Sequence, residues 1–161
     1  MEIIFEVKNS TGIITLNRPK ALNALNLNMA IQFSAKLKEW ENDNKIERVL
    51  LLGEGKHFCA GGDVKSVHLS GPFSKLKEEF FSKEYSLNLQ IKNFPKPYMS
   101  IWHGVVMGGG VGLSIYGDYR IVTDSTKFAM PETSIGFFPD VGGSFFLSNL
   151  PGNIGKYIGL T

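Results

Sequence analysis

Apolar positions in the first part of the chain follow two periods in turn. Alternation over Ile3–Val7 and Ile13–Leu16 predicts two short strands, paired around a turn at Asn9-Ser10-Thr11-Gly12. Arg18-Pro19 then breaks the chain. Met29, Phe33, Leu37 and Trp40 recur at helical spacing, with Lys38, Glu39 and Glu41 left for the surface, so an amphipathic helix is expected there. Val49-Leu50-Leu51-Leu52 is a continuous apolar run closed by Gly53, which suits a buried strand. A second helix is expected from about Ser74 to Asn93, stopped by Pro95 and Pro97. Tyr98–Trp102 and Tyr119–Val122 read as further buried strands, with a glycine-rich turn and a short helix between them. Short strands alternating with helices predict an α/β domain.

Composition narrows the class. The chain has 161 residues, 43% of them hydrophobic and 20% charged, enough apolar content for one packed domain and too much for a solvated, disordered chain. A net charge of +2 gives no support to nucleic-acid binding, which needs clustered Lys and Arg. No apolar run approaches the ~20 residues that cross a bilayer. Cys59 stands alone, excluding an intrachain disulfide and pointing to a reducing compartment. The N-terminus lacks the pattern of a signal or transit peptide, so a bacterial cytoplasm is expected, or a mitochondrial matrix for a processed eukaryotic protein. From His103 onward the chain holds twelve of the 18 glycines but only seven charged residues, as if backbone were packed closely around something.

Three segments carry candidate chemistry. Phe58-Cys59-Ala60-Gly61-Gly62-Asp63 follows the apolar run; paired glycines there can leave a peptide N–H open to a ligand, or form an ordinary turn. Met107-Gly108-Gly109-Gly110-Val111-Gly112-Leu113 leads from a strand into an apolar helix and presents N–H groups suited to a developing oxyanion, or serves close helix–strand packing. The dinucleotide fingerprint fails there, because its third glycine position is Leu113. In Pro131-Glu132 through Pro139-Asp140-Val141-Gly142-Gly143, two carboxylates stand among aromatics and glycines. Apolar surroundings raise a carboxyl pKa and suit it to base, acid or nucleophile work, whereas a plainer role makes Glu132 a first-turn residue and Asp140 a cap. His57, His68 and His103 are too scattered for a metal site, no Gly-x-Ser-x-Gly elbow exists, and Cys59 between Phe58 and Ala60 reads as packing.

Taken in order, Asn17-Arg18-Pro19-Lys20-Ala21-Leu22-Asn23-Ala24-Leu25, Phe58–Asp63, Gly108–Gly110 and Pro131-Glu132 resemble the crotonase (enoyl-CoA hydratase/isomerase) superfamily, from about Thr11 to the end. The resemblance implies a spiral of strand-strand-helix units that binds acyl-coenzyme A thioesters. It places oxyanion-hole donors on Gly62 and Gly109, with Asp63, Val64 and Lys65 beside the substrate. Within the superfamily, Phe128 to Gly143, Met107 to Ser114, Lys83-Glu84-Tyr85 and Leu87-Asn88 resemble the branch that hydrolyses 3-hydroxyisobutyryl-CoA in valine breakdown. There the working carboxylates match Glu132 and Asp140, and a substrate-contacting glutamate matches Glu84. Hydratases of the superfamily carry a second glutamate two positions after the glycine triplet, where this chain has Gly112.

The resemblance thus implies a thioester hydrolase needing no metal or separate cofactor, coenzyme A arriving with the substrate; the balanced charge and the lack of a long apolar run lead us to expect no nucleic-acid or membrane partner. An enoyl-CoA hydratase or isomerase is the enzymatic alternative, and a non-catalytic acyl-CoA-binding or assembly module the alternative of another class. Superfamily members extend well past the position of Thr161. Residues 1–161 are therefore expected to form an N-terminal core without the C-terminal helices that cover the site and often build a homotrimer.

Overall fold

The computed structural model describes residues 1–160; Thr161, the last residue of the expected domain, lies outside the described residues. Strands β1 (Ile3–Lys8) and β2 (Thr11–Leu16) form the expected antiparallel hairpin. The turn is tighter than expected: Thr11 and Gly12 already belong to β2, and only Asn9 and Ser10 reverse the chain. Both have positive φ, 48° and 59°, which matches the right-handed twist of the flanking strands.

Helix α1 (Leu27–Asn42) is capped by Asn26, whose side chain accepts the Met29 N–H. It buries Met29, Ala30, Phe33, Leu37 and Trp40, the predicted stripe with one addition. β3 (Arg48–Gly53), α2 (Val64–Leu69), α3 (Leu76–Lys92) and β4 (Tyr98–Trp102) follow. Next come β5 (Val105–Met107), α4 (Gly109–Gly112), β6 (Tyr119–Val122) and β7 (Lys127–Ala129), and then α5 (Gly143–Ser148) and α6 (Ile154–Leu160).

One five-stranded sheet has the order β1-β2-β3-β4-β6, parallel beyond the first hairpin. Every parallel step needs a crossover, and α1 supplies the one from β2 to β3, α3 the one from β3 to β4. The two helices pack against each other, so α3 is held by a neighbour as well as by its own sequence. Ile14, Leu16, Val49, Leu51, Phe80, Leu87 and Tyr98 are among the buried side chains of the core.

Two expectations are corrected. Tyr119–Val122 is a strand with the expected bounds but is not buried: it is the sheet edge, with Tyr119 and Val122 both about 60% exposed. Its apolar composition records β-propensity, while burial depends on a further neighbour that the sheet lacks on that side. The stretch read as turn plus helix also contains β5, which pairs in parallel with β7 as a second, two-stranded sheet. Strands of three residues are too short to display a period.

Candidate active site

The segment after β3 is fastened at several points. Phe58 N–H donates to His103 O, Cys59 N–H to Val105 O and Met107 N–H to Cys59 O, which lays residues 58–59 alongside β5. Leu25 then pairs with Gly62: Leu25 N–H donates to Gly61 O and Asp63 N–H to Leu25 O, both at 2.8 Å. In this parallel bridge the Gly62 N–H points away from Leu25 and has no acceptor on the described protein.

The run of residues 17–25 gains a physical meaning from this geometry. Asn23 is fully buried at positive φ; its Nδ2 donates to Glu54 O and His57 O, and its Oδ1 accepts Arg18 N–H. Arg18 in turn donates to Ala24 O and pairs with Asp63 and Glu2, each at 2.9 Å. Asp63 caps α2 by accepting the Ser66 N–H. Burial alone would raise its pKa, but the Ser66 N–H and the Arg18 guanidinium outweigh it and hold it below the usual value. Asp63 is thus a brace for the Gly62 loop and does not line the main cavity, whereas Val64 and Lys65 do.

Gly109 opens α4, so its N–H has no intrahelical acceptor. Gly108 before it has φ 47° and ψ −121°, a backbone setting that side chains oppose. The two glycine segments touch: a β-carbon on Gly109 would lie 3.0 Å from the Gly62 nitrogen, and one on Gly61 would lie 3.6 Å from the Gly109 nitrogen. Two unpartnered N–H groups therefore stand side by side, at the two positions where the resemblance puts them.

Three carboxyl groups surround them. Glu84 comes from α3, Glu132 from a 3-10 turn at Pro131–Ile135, and Asp140 from the loop before α5; all three are over 90% buried. Glu84 Oε1 lies against Gly109, and Glu132 Oε1 would be 2.7 Å from a β-carbon on Gly108. Glu84 Oε1 and Glu132 Oε2 have no hydrogen-bond partner on the protein among the described residues. Burial, with the Asp140 and Glu132 charges added, pushes Glu84 up to about 8. Burial and the Asp140 charge outweigh a backbone hydrogen bond to bring Glu132 up to about 7, and burial raises Asp140 as well. Acids poised near neutrality can accept or deliver a proton at working pH.

The raised acids make a stability prediction. Between the unfolded carboxyl pKa and the folded value of about 8, the folded state binds more protons at Glu84, so stability falls as pH rises through that window. Glu84→Gln is expected to raise the melting temperature at pH 8, by the order of a few kcal/mol of stability, and to change it little at pH 4.5. Equal shifts at both pH values in thermal melts would show that Glu84 is not a buried, strained acid.

Together these groups line a cavity of about 970 Å³, with Phe81, Ile135 and Phe137 as apolar walls and Lys65, His68 and Lys77 also in its lining. The size fits a small-molecule site. A smaller space of about 490 Å³ shares Asp140 with it and is lined by Tyr85, Asn88, Lys92 and Tyr116. Tyr85 Oη donates to Asp140 Oδ2 at 2.7 Å, a contact the sequence did not point to. Its sequence signal is the spacing of Tyr85 and Asn88, three residues apart on α3.

Among the described residues no His/Cys/Asp/Glu cluster suits a metal, and no helix is long and apolar enough to cross a membrane. Cys59 is fully buried, and burial pushes its thiol up to about 12, which removes it as a nucleophile. His57 Nδ1 accepts the Val105 N–H and so supports the backbone.

A sequence profile of the enoyl-CoA hydratase/isomerase family matches residues 11–161. The chain belongs to this family. Its curated relatives include the mitochondrial 3-hydroxyisobutyryl-CoA hydrolases of Danio rerio, 49% identical, and Homo sapiens, 48% identical. Each alignment covers 99% of this chain but 42% of the relative, so this hydratase/isomerase-family chain spans less than half of their length. Among solved structures it superposes on a carnitinyl-CoA dehydratase from Mycobacterium thermoresistibile with a TM-score of 0.95 at 46% identity, covering 98% of this chain and 47% of that one. An enoyl-CoA hydratase from Rhodobacter sphaeroides gives 0.96 at 41%, covering 100% and 49%. The mixed α/β crotonase architecture expected from the sequence is the one observed.

At Gly112 this family member has no room for a side chain. A β-carbon there would come within 2.7 Å of Val141 Cβ and 3.0 Å of Asn88 Nδ2. The position at which the resemblance puts a second glutamate in the hydratases is thus crowded here by Val141 and Asn88.

Proposed function

We propose that the chain carries the machinery of an acyl-CoA thioester hydrolase that converts 3-hydroxyisobutyryl-CoA to 3-hydroxyisobutyrate and coenzyme A. The observation that carries this reading is the convergence of two unpartnered N–H groups and three buried acids in one cavity, with residue 112 closed to a fourth. The names of the curated relatives support it.

In this reading the thioester carbonyl oxygen accepts from Gly62 and Gly109 N–H, which stabilise the negative charge of the tetrahedral intermediate. Ionised Glu132 takes a proton from water as the water oxygen attacks the carbonyl carbon, or attacks that carbon itself to give an anhydride that water then opens. In either case the C–S bond breaks, coenzyme A leaves as thiolate and collects a proton. Asp140 orients the water or handles its proton, and Glu84 meets the acyl hydroxyl. Val64 and Lys65 line the cavity and in this reading meet the coenzyme A part of the substrate.

The test is release of coenzyme A from 3-hydroxyisobutyryl-CoA, followed with a thiol reagent on the purified protein. No release above background would overturn the reading. Crotonyl-CoA is expected to keep its enoyl absorbance; its loss would favour hydration instead.

Tyr85 gives a further prediction. Its hydroxyl lowers the Asp140 pKa against the larger effect of burial. Tyr85→Phe is expected to move the acid limb of the pH–rate profile to higher pH, because Asp140 then needs a higher pH to ionise. In an Asp140→Asn background the same change is expected to do nothing more. A pH profile unmoved by Tyr85→Phe would reduce Tyr85 to a packing residue.

A further inference from the structure

The smaller space of about 490 Å³ is left unused by the chemistry proposed above, although it shares Asp140 with the main cavity. Its lining is amphiphilic. Leu89, Phe138 and Phe145 form apolar walls, each about 60% exposed, so they have open surface to offer a ligand. Lys92 and Asp140 are its two charged residues, and Ser144 adds a hydroxyl.

Lys92 is a cation held in place without being neutralised. It stands in the last turn of α3, where the carbonyl ends of the helix favour positive charge. Its Nζ lies 5.1 Å from the centre of the Phe145 ring and 5.9 Å from that of Tyr116. Ring faces attract an ammonium group but leave its charge uncompensated. Among the described residues Lys92 makes no ion pair. Asp140, the acid of the same lining, accepts from Tyr85 Oη instead.

A surface of this kind suits a ligand with an anionic head and a short apolar body. A carboxylate is the matching head, because its oxygens accept charge-assisted hydrogen bonds from an ammonium group. A body of a few carbons covers the exposed walls and takes their apolar area out of water. Hydrolysis as proposed above makes such an acid beside Asp140, the residue that borders both spaces.

We infer that the smaller space is a subsite for a short aliphatic carboxylate, anchored by Lys92, and that it receives the acid product as the acid leaves past Asp140. Naming the product as the ligand rests on the proposed function; the affinity for a short carboxylate does not. Lys92 binds the released acid and takes no part in breaking the C–S bond.

The test measures binding of 3-hydroxyisobutyrate to the full chain by calorimetry, with and without saturating coenzyme A, and uses the corresponding neutral amide as a control. Wild type is expected to bind the acid at least about tenfold tighter than the amide, the scale of a hydrogen bond to a charged group. Coenzyme A is expected to leave that affinity unchanged. Lys92→Met is expected to remove the preference for the acid, and Lys92→Arg to keep it. Leu89→Glu adds a carboxylate three residues before Lys92 on α3 and is expected to cancel the preference by pairing with the ammonium. No preference in wild type, or one that Lys92→Met leaves intact, would overturn the inference. Loss of acid binding on adding coenzyme A would put the acid in the main cavity and overturn it as well. A purely structural Lys92 would lower the melting temperature of Lys92→Met and leave the acid preference alone. Acid binding that depends on Lys92, in a protein that releases no coenzyme A from the thioester, would sink the hydrolase reading and leave the subsite standing.

Discussion

Replacing Glu132 with Gln is expected to lower turnover of 3-hydroxyisobutyryl-CoA by at least ~100-fold, the scale for losing a general base or nucleophile. The substitution keeps the size of a side chain that is 8% exposed and leaves no cavity, so the protein should stay folded. Glu132 titrates near pH 7, which adds a second signature. The rate should rise with pH through that value as the carboxylate forms, and the rise should vanish in Glu132→Gln. Asp140→Asn should also cost turnover. The double variant should be little worse than the more damaging single one, because groups acting on one step do not add. A surface or first-turn role predicts the opposite, a stability change of about 1 kcal/mol or less with activity kept. Turnover within threefold of wild type in a well-folded Glu132→Gln protein would remove Glu132 from the chemistry.

The second large effect is expected at Gly109, where alanine should cut turnover by ~100- to 1,000-fold, the cost of losing one oxyanion donor. The new methyl group would run into Glu84 Oε1 and stand 3.0 Å from the Gly62 nitrogen and 3.3 Å from the Gly61 carbonyl carbon. Two of those atoms are backbone, held by the Leu25 bridge, so the loops must move apart to accept it. Alanine keeps its own N–H, and the loss comes from displacing both donors from a shared point. Circular dichroism should remain near wild type, since α4 is a single turn and the main sheet does not contain it. Unchanged turnover in Gly109→Ala would place the thioester carbonyl elsewhere.

How much of this was legible beforehand depended on how local the cause was. The α1 stripe, the β4 and β6 bounds and the pairing of β1 with β2 follow from side-chain periodicity, which acts over a few residues and is written into the chain. The two glycine loops were also visible, because exposing a peptide N–H beside another backbone requires glycine at set positions. Asp63 was expected beside the substrate, but the structure makes it a brace outside the main cavity's lining, because its role depends on Arg18 arriving from a distant loop.

Other properties came from assembly alone. Tyr119–Val122 is apolar whether a sheet continues past it or stops, and only the sheet order makes it an exposed edge. β5 and β7 are defined by each other and are too short to announce themselves. The sequence by itself determined that carboxylates and two glycine-rich loops were present in this protein, in an order that resembles one superfamily. The tertiary structure decided that Glu84, Glu132 and Asp140 share one cavity, that Tyr85 holds Asp140, and that Gly112 has no space for a side chain. It also decided their acidity, because desolvation is set by everything that encloses a group, and the enclosing residues come from elements far apart in the chain.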